Sequence, residues 1–253
     1  MGTRLLHKDF QPSIHAIYGF VRFADEIVDT FHEHNKRELL DRFIKDTHDA
    51  IIDKISLNPI LQSFQHTVNK YKIDVELIDT FLRSMEMDLD KNRYNQEGYE
   101  EYILGSAEVV GLMCLKIFVE GNEQQYQALK PDAMKLGSAF QKINFLRDLK
   151  ADVDLLGRSY FPGFDIKKFD TQMKKTIEDD IKKDFDAGLR GIKQLPKKVR
   201  LGVYLAYIYY YTLFKKIQNT PAEKVISTRI RVSDRKKYIL FLNSYLKHNF
   251  NLI

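Results

Sequence analysis

The chain has 253 residues, 44% of them hydrophobic and 30% charged, with only 12 glycines and 6 prolines; that is enough apolar mass for one large core and too few turn-formers for a β-rich fold. The formal net charge of +5 is spread along the chain rather than gathered with aromatics on one face, which argues against nucleic-acid binding but suits anionic substrates or an anionic membrane surface. The single cysteine, Cys114, excludes an internal disulfide, fits a reducing, cytoplasmic setting, and lies in an apolar run expected to be core.

Apolar residues recur at helical spacing, and no strand alternation is sustained. The spacing predicts helices over 11–31, 36–56, 59–71, 74–90, 96–119, 123–153, 170–192, 196–218 and 233–247. Breaks fall at Asn58-Pro59, at Gly121-Asn122 and in the segment from Gly157 to Gly163 that contains Pro162. No repeat or low-complexity tract divides the chain, so residues 1–253 read as one helical domain. The N-terminal MGTRLLHKDF lacks the apolar stretch of a signal peptide, and Leu6 stands where a myristoylation motif needs Ser or Thr. The longest uncharged apolar run, Leu201 to Phe214, has 14 residues with five tyrosines. It is too short to span a bilayer and reads as a buried helix.

Two of these helices carry acidic pairs in apolar surroundings. Tyr18, Arg22, Asp25 and Asp29 are spaced 4, 3 and 4 and share one helix face, among Ile17, Phe20, Val21, Phe23, Ala24, Ile27 and Val28. A helix apolar nearly all round is buried, so the polar stripe is expected to line an interior cavity. Two carboxylates one turn apart on a buried face repel each other and are costly to desolvate. A bound hard divalent cation such as Mg²⁺ removes both penalties and is commonly shared between carboxylates and substrate phosphates. Gln141, Asn144, Asp148 and Asp152 repeat the design at spacings 3, 4 and 4, with Arg147 beside them. A lone Asp-x-x-x-Asp is weak evidence, and Asp41, Asp46, Asp49 and Asp53 read as an ordinary solvated face; two such pairs on apolar helices are much less expected by chance.

Asp25-Glu-Ile-Val-Asp29, Gln141-x-x-Asn144-x-x-Arg147-Asp148-x-x-x-Asp152 and Gly157-Arg158-Ser-Tyr160-Phe-Pro162 together resemble the squalene and phytoene synthase family. Met87-Asp88-Leu89, Arg93-Tyr94 and Tyr102-x-x-x-Ser106-Ala107-x-x-Val110-Gly111 extend the likeness, which covers roughly residues 10–165 and is nearest to bacterial phytoene synthases. The resemblance implies an all-α, single-domain isoprenoid-synthase bundle around a central cavity. It implies head-to-head condensation of two geranylgeranyl diphosphates through prephytoene diphosphate to phytoene, with Mg²⁺ (or Mn²⁺) and without NADPH. The alternatives are a C30 enzyme using farnesyl diphosphate, making squalene or dehydrosqualene, and a non-catalytic relative.

On that resemblance Asp25, Asp29, Asn144, Asp148 and Asp152 are the expected metal ligands. Arg22, Arg147, Arg158 and Tyr160 are expected on the diphosphate, Tyr18, Tyr102 and Tyr160 on diphosphate or carbocation, and Gln141 near the reacting carbons. Ala107 and Gly111 would let their helix lie close to the prenyl chain, and Leu112-Met113 and the 201–214 segment would wall the hydrocarbon tunnel. Substrate and product are lipophilic, which leaves room for peripheral membrane contact, although no strongly amphipathic basic helix marks it; the oligomeric state is not legible. The chain begins about 24 residues before Asp25 where the family has one more helix, so a missing first helix is expected, and Glu108 stands where the family often has Gly. His32-x-His34 is too close for one helix face. No Glu-x-x-His pair, P-loop or Gly-x-Gly-x-x-Gly offers di-iron or nucleotide chemistry.

Overall fold

The computed structural model describes residues 2–90, 94–156, 160–163 and 169–249, with side chains described outside 151–156 and 249. A short 3-10 turn (Gly2–Leu5) leads into α1 (Gln11–Asp29), whose Pro12 sits in the first turn, where a missing N–H costs no helical hydrogen bond. α2 (Lys36–Asp53) and α3 (Pro59–Tyr71) start at Asn35 and Asn58. Those side-chain oxygens accept from the Glu38 amide and from the Ile60 and Leu61 amides. α4 (Val75–Asp90) then packs back on α1 and α2. The core of this half is aromatic: the buried Phe20 stacks on Phe64 with ring centres 3.8 Å apart, flanked by Phe43 and Phe81.

The spacing predicts one helix over 96–119. The structure instead has α5 (Gln96–Ile103), a π-helical turn (Leu104–Glu108) and α6 (Val109–Phe118). The cause lies in the neighbours. A Cβ on Gly105 would lie 2.5 Å from Ser84 Cβ and 2.7 Å from the Thr80 carbonyl of α4. On the other side, a Cβ on Gly137 would lie 2.8 Å from the Ala107 carbonyl. The widened turn lets residues 104–108 fit between those two helices, a device common near functional sites.

The predicted break at Gly121-Asn122 is a left-handed turn, with φ of 52° at Glu120 and 76° at Gly121. Beyond it run α7 (Glu123–Leu156), α8 (Thr171–Gln194), α9 (Lys197–Gln218), the short α10 (Ala222–Val225) and α11 (Asp234–Asn249). α7 and α8 approach closely because Gly188 and Gly191 lie against Leu136 and Asp132. Lys142 of α7, itself buried, pairs with Asp180 at 2.5 Å and Asp184 at 2.6 Å across this seam. The described residues contain no strand. Predicted helix ends shift by two or three residues at 29, 53, 156, 194 and 249, while α10 and the first 3-10 turn are additions to the reading.

Asp41, Asp46, Asp49 and Asp53 are exposed, as their reading as a solvated face requires. Cys114 is half-buried, packed against the core rather than sealed in it. On α11, Lys237 lies over the Tyr209 ring of α9 and Ser244 is buried, while Tyr238, Ile239, Leu242, Tyr245 and Leu246 are exposed.

Candidate active site

α1 buries Ile17, Phe20, Ala24, Ile27 and Val28 against the bundle and leaves the opposite side open. The stripe predicted to line an interior cavity therefore lies mostly at the surface. Tyr18 is 66% exposed, Arg22 and Asp29 are exposed, and only Asp25 is tucked half inside. Arg22 pairs with Glu26 on its own helix. The Asp25 carboxyl is pushed up to about 7, first by burial and next by Asp29, with Asp88 and Glu26 adding to the effect and Arg22 opposing it. Asp29 and the α4 residue Asp88 are thus the neighbouring negative charges that the half-buried Asp25 carboxyl feels.

Asp88 is buried and accepts a hydrogen bond from the Tyr102 hydroxyl at 2.8 Å. Burial, with the Asp88 carboxylate beside it, drives the Tyr102 hydroxyl well above the ordinary phenol range, so its proton stays put. Tyr102 belongs to a buried ring cluster. Its ring centre is 5.2 Å from Tyr94 and 5.0 Å from Tyr160, and Tyr160 stacks on Phe145 of α7 at 4.2 Å. This cluster joins the α1–α4 acids to the second acidic helix.

On α7 the predicted residues come together. Asn144 donates to the Gln141 side-chain oxygen at 3.4 Å and accepts from the Tyr210 hydroxyl at 3.3 Å. Asp148 is gripped from two sides, by Arg147 Nη2 at 2.5 Å and by Arg229 Nε at 2.7 Å. Arg147 is expected on substrate phosphate and here holds its neighbouring carboxylate. The Asp152 side chain, Arg158 and Arg93 lie outside the described residues.

Three residues are additions to the sequence reading. Asp88 lies within a motif that carries the resemblance, but its polar partner, Tyr102, is fourteen positions on, beyond any helix-face rule. Tyr210 is one of five tyrosines in an apolar run and carries no signal of its own. Arg229 lies between α10 and α11, where no motif points to it.

Ala107 and Gly111 lie against α7, where a Cβ on Gly111 would lie 3.4 Å from the Ala133 carbonyl and Gly137 abuts the Ala107 carbonyl. Their small size accommodates that helix. Leu112 and Met113 are sealed in the core. Glu108 turns to α7, accepting from the Ser138 hydroxyl near Lys135 and Lys142; burial raises its pKa. A cavity of about 850 Å³ opens between α5 and α8, lined by Tyr99, Phe161, Asp170, Asp180 and Lys183, and the acidic stripes do not border it.

The donors suit a hard divalent cation. Asp25, Asp29, Asp148 and Asn144 offer oxygen alone, and the raised Asp25 carboxyl marks a place where added positive charge is favourable. Among the described residues no three acidic, histidine or cysteine side chains converge to hold a metal by themselves.

Known proteins bear on this arrangement. A family model described as squalene/phytoene synthase matches residues 1–236. Phytoene synthase 2, chloroplastic, of Solanum lycopersicum is 27% identical over 270 residues, covering 98% of this chain and 85% of the relative. Phytoene synthase of Arthrospira platensis is 26% identical, covering 94% and 84%. Among solved structures, a dehydrosqualene synthase in complex with ligand superposes with a TM-score of 0.81 at 21% identity, covering 97% of this chain and 90% of that one. The squalene synthase HpnC from Alicyclobacillus acidocaldarius gives 0.75 at 20% identity, covering 86% of each chain. These two establish the all-α isoprenoid-synthase fold. With its acids on α1 and α7 and a family match over nearly its whole length, the chain belongs to the squalene/phytoene synthase family, whose members are prenyltransferase-type enzymes that bind prenyl diphosphates.

Proposed function

We propose that the chain condenses two geranylgeranyl diphosphates head to head, through the cyclopropyl intermediate prephytoene diphosphate, to phytoene, releasing both diphosphates and using Mg²⁺ (or Mn²⁺) without NADPH. The observation that carries the reading is the half-buried Asp25 carboxyl, raised to about 7 beside Asp29 and Asp88. A group so placed is poorly balanced until a cation arrives. The family's use of a divalent metal for diphosphate supplies one. The phytoene synthases among its relatives, matched along almost the whole chain, favour the C40 reaction.

Asp25, Asp29, Asp148, Asp152 and Asn144 would hold the metal. When bound, the metal neutralises charge on the departing diphosphate and so eases ionisation to the allylic cation. Arg22, Arg147, Arg158 and Arg229 would then bear on phosphate oxygens. For Arg147 and Arg229 this means releasing or sharing Asp148 as the substrate enters. Tyr94, Tyr102, Tyr160 and Phe145 would face the cation with their rings and keep water away from it. Asp88 would fix the Tyr102 ring through its hydroxyl. Tyr18 stands at the mouth, free to close on diphosphate, and Gln141 orients Asn144 near the reacting carbons.

Incubation with geranylgeranyl diphosphate or farnesyl diphosphate and Mg²⁺, with and without NADPH, tests this. The expected result is a C40 hydrocarbon with a conjugated triene chromophore from the C20 substrate, independent of NADPH. A C30 product formed in preference, or a requirement for reductant, overturns the proposal.

A further inference from the structure

We infer that the cavity between α5 and α8 binds a small organic ammonium ion with a short apolar tail. The cavity, about 850 Å³ in volume, is not bordered by the acidic stripes of α1 and α7, so the inference does not rest on the reaction proposed above. Tyr99 carries it. This side chain is 8% exposed and lines the cavity, and its hydroxyl has no hydrogen-bond partner among the described residues. Burial first, and then Asp180 and Asp184, push that hydroxyl above the ordinary phenol range, so it keeps its proton and its oxygen remains open to a donor. A buried hydroxyl without a partner is costly, and a ligand donor removes that cost.

The charges around the hydroxyl say which donor. Those that act on it are all carboxylates, Asp180, Asp184 and Glu100. Asp170 and Asp179 add to Asp180 on the cavity wall, against one lining cation, Lys183. Asp180 receives Lys142 at 2.5 Å, Asp179 pairs with Lys175 on its own helix, and Asp170 caps α8 by accepting from the Met173 amide at 2.7 Å. Each contact occupies only part of a carboxylate, which has room for about four hydrogen bonds. Lys183 is exposed, with no acidic partner among the described residues, and its long side chain can turn to water. A phosphate or carboxylate ligand would meet three acids for that one lysine; an ammonium meets acceptors.

The remaining wall explains the tail. The Phe161 ring centre is 5.8 Å from that of Tyr99, and Met173 and Ile177, one turn apart on α8, lead along the same helix face to Asp180. An ammonium held by the Tyr99 hydroxyl and Asp180 would lay its methylene groups on Phe161, Met173 and Ile177, hydrocarbon on aromatic and thioether surface. A bare metal ion leaves that surface uncovered, and among the described residues no three acidic, histidine or cysteine side chains converge to hold one. The geometry thus favours an organic cation over an inorganic one.

Saturation-transfer NMR titrations of the full chain with n-hexylammonium, hexanoate and hexanol test it. The wild type is expected to bind hexylammonium with a dissociation constant on the order of 1 mM, and the other two at least about tenfold more weakly. Tyr99→Phe keeps the ring and Asp170→Asn keeps the helix cap; each is expected to weaken hexylammonium binding about fivefold. Thr176→Arg, at an exposed lining position, puts a tethered cation in the cavity and is expected to abolish binding. Lys183→Gln removes the like charge and is expected to strengthen binding about twofold. Absence of wild-type binding up to about 10 mM, hexanoate binding as tight as hexylammonium, or unaltered binding by Thr176→Arg overturns the inference. So does loss of hexylammonium binding in Asp25→Asn, because the ammonium then sits among the acids of α1.

Discussion

The Tyr102 hydroxyl donates to the Asp88 carboxylate at 2.8 Å inside the bundle, on the seam between α4 and α5 and one step from Asp25. Tyr102→Phe keeps the ring and removes the donor. Because a buried carboxylate then loses a hydrogen bond, unfolding free energy falls by about 1–3 kcal/mol. kcat falls as well, since the ring is no longer fixed, while KM for the prenyl diphosphate changes little. Chemical denaturation and steady-state diphosphate release measure the two effects. A fall in KM-dependent binding alone would point to a role on the substrate diphosphate instead.

Asp25 makes metal-free stability depend on pH. Its folded-state value of about 7 lies above the ordinary carboxylate value of 3.8. Asp25 therefore favours the fold fully below about pH 3.8, and that contribution is lost progressively as pH rises from there through about 7. Asp25→Asn, which cannot ionise, is expected to match the wild type near pH 3, below the ordinary carboxylate value. At pH 8 without metal it should be more stable by about 2 kcal/mol, the three-unit shift being discounted for partial exposure. Thermal melts at the two pH values check this, and addition of Mg²⁺ should raise the wild-type Tm at pH 8 more than that of the variant.

Arg229 reaches Asp148 from outside the helices that carry the motifs. Arg229→Ala is expected to lower kcat/KM on the order of tenfold, and Arg229→Lys to recover part of it, since a point charge replaces a fork. The measurement is diphosphate release at several Mg²⁺ concentrations. An Arg229→Ala enzyme as fast as wild type at all of them places Arg229 off the reaction path.

The glycines divide sharply. Gly105→Ala must push Cβ into Ser84 and the Thr80 carbonyl, at 2.5 and 2.7 Å, and should destabilise by about 2 kcal/mol or more. Gly19→Ala on α1 meets nothing nearer than Ile60 at 3.8 Å and should stabilise by about 0.5–1 kcal/mol through helix propensity. Melting curves of the two variants moving in opposite directions check the π-helical packing directly.

The sequence made the helices legible because their apolar period is strong and Asn35, Asn58 and the Glu120-Gly121 turn punctuate them in conventional ways. The π-helical turn was not legible, since it arises from what α4 and α7 press against Gly105 and Ala107, and periodicity within one helix carries no record of its neighbours. The same limit governs the site. Gln141, Asn144 and Asp148 share a helix face and were found together. Tyr18 and Arg22 also share a face, yet that face opens to solvent because α1 buries only its other side. Asp88 with Tyr102, and Asp148 with Arg229, are contacts between distant segments and were visible only in the fold.

The central claim is that the acids of α1 and α7 form one metal-dependent diphosphate site, and one experiment addresses it most directly. Diphosphate release from geranylgeranyl diphosphate is followed across a Mg²⁺ titration for wild type, Asp25→Ala and Asp148→Ala, with far-UV circular dichroism of each. The account predicts Mg²⁺-dependent release by the wild type and loss of release in both variants at unchanged helical content. Full activity in either variant, or wild-type release that persists without divalent metal, contradicts it.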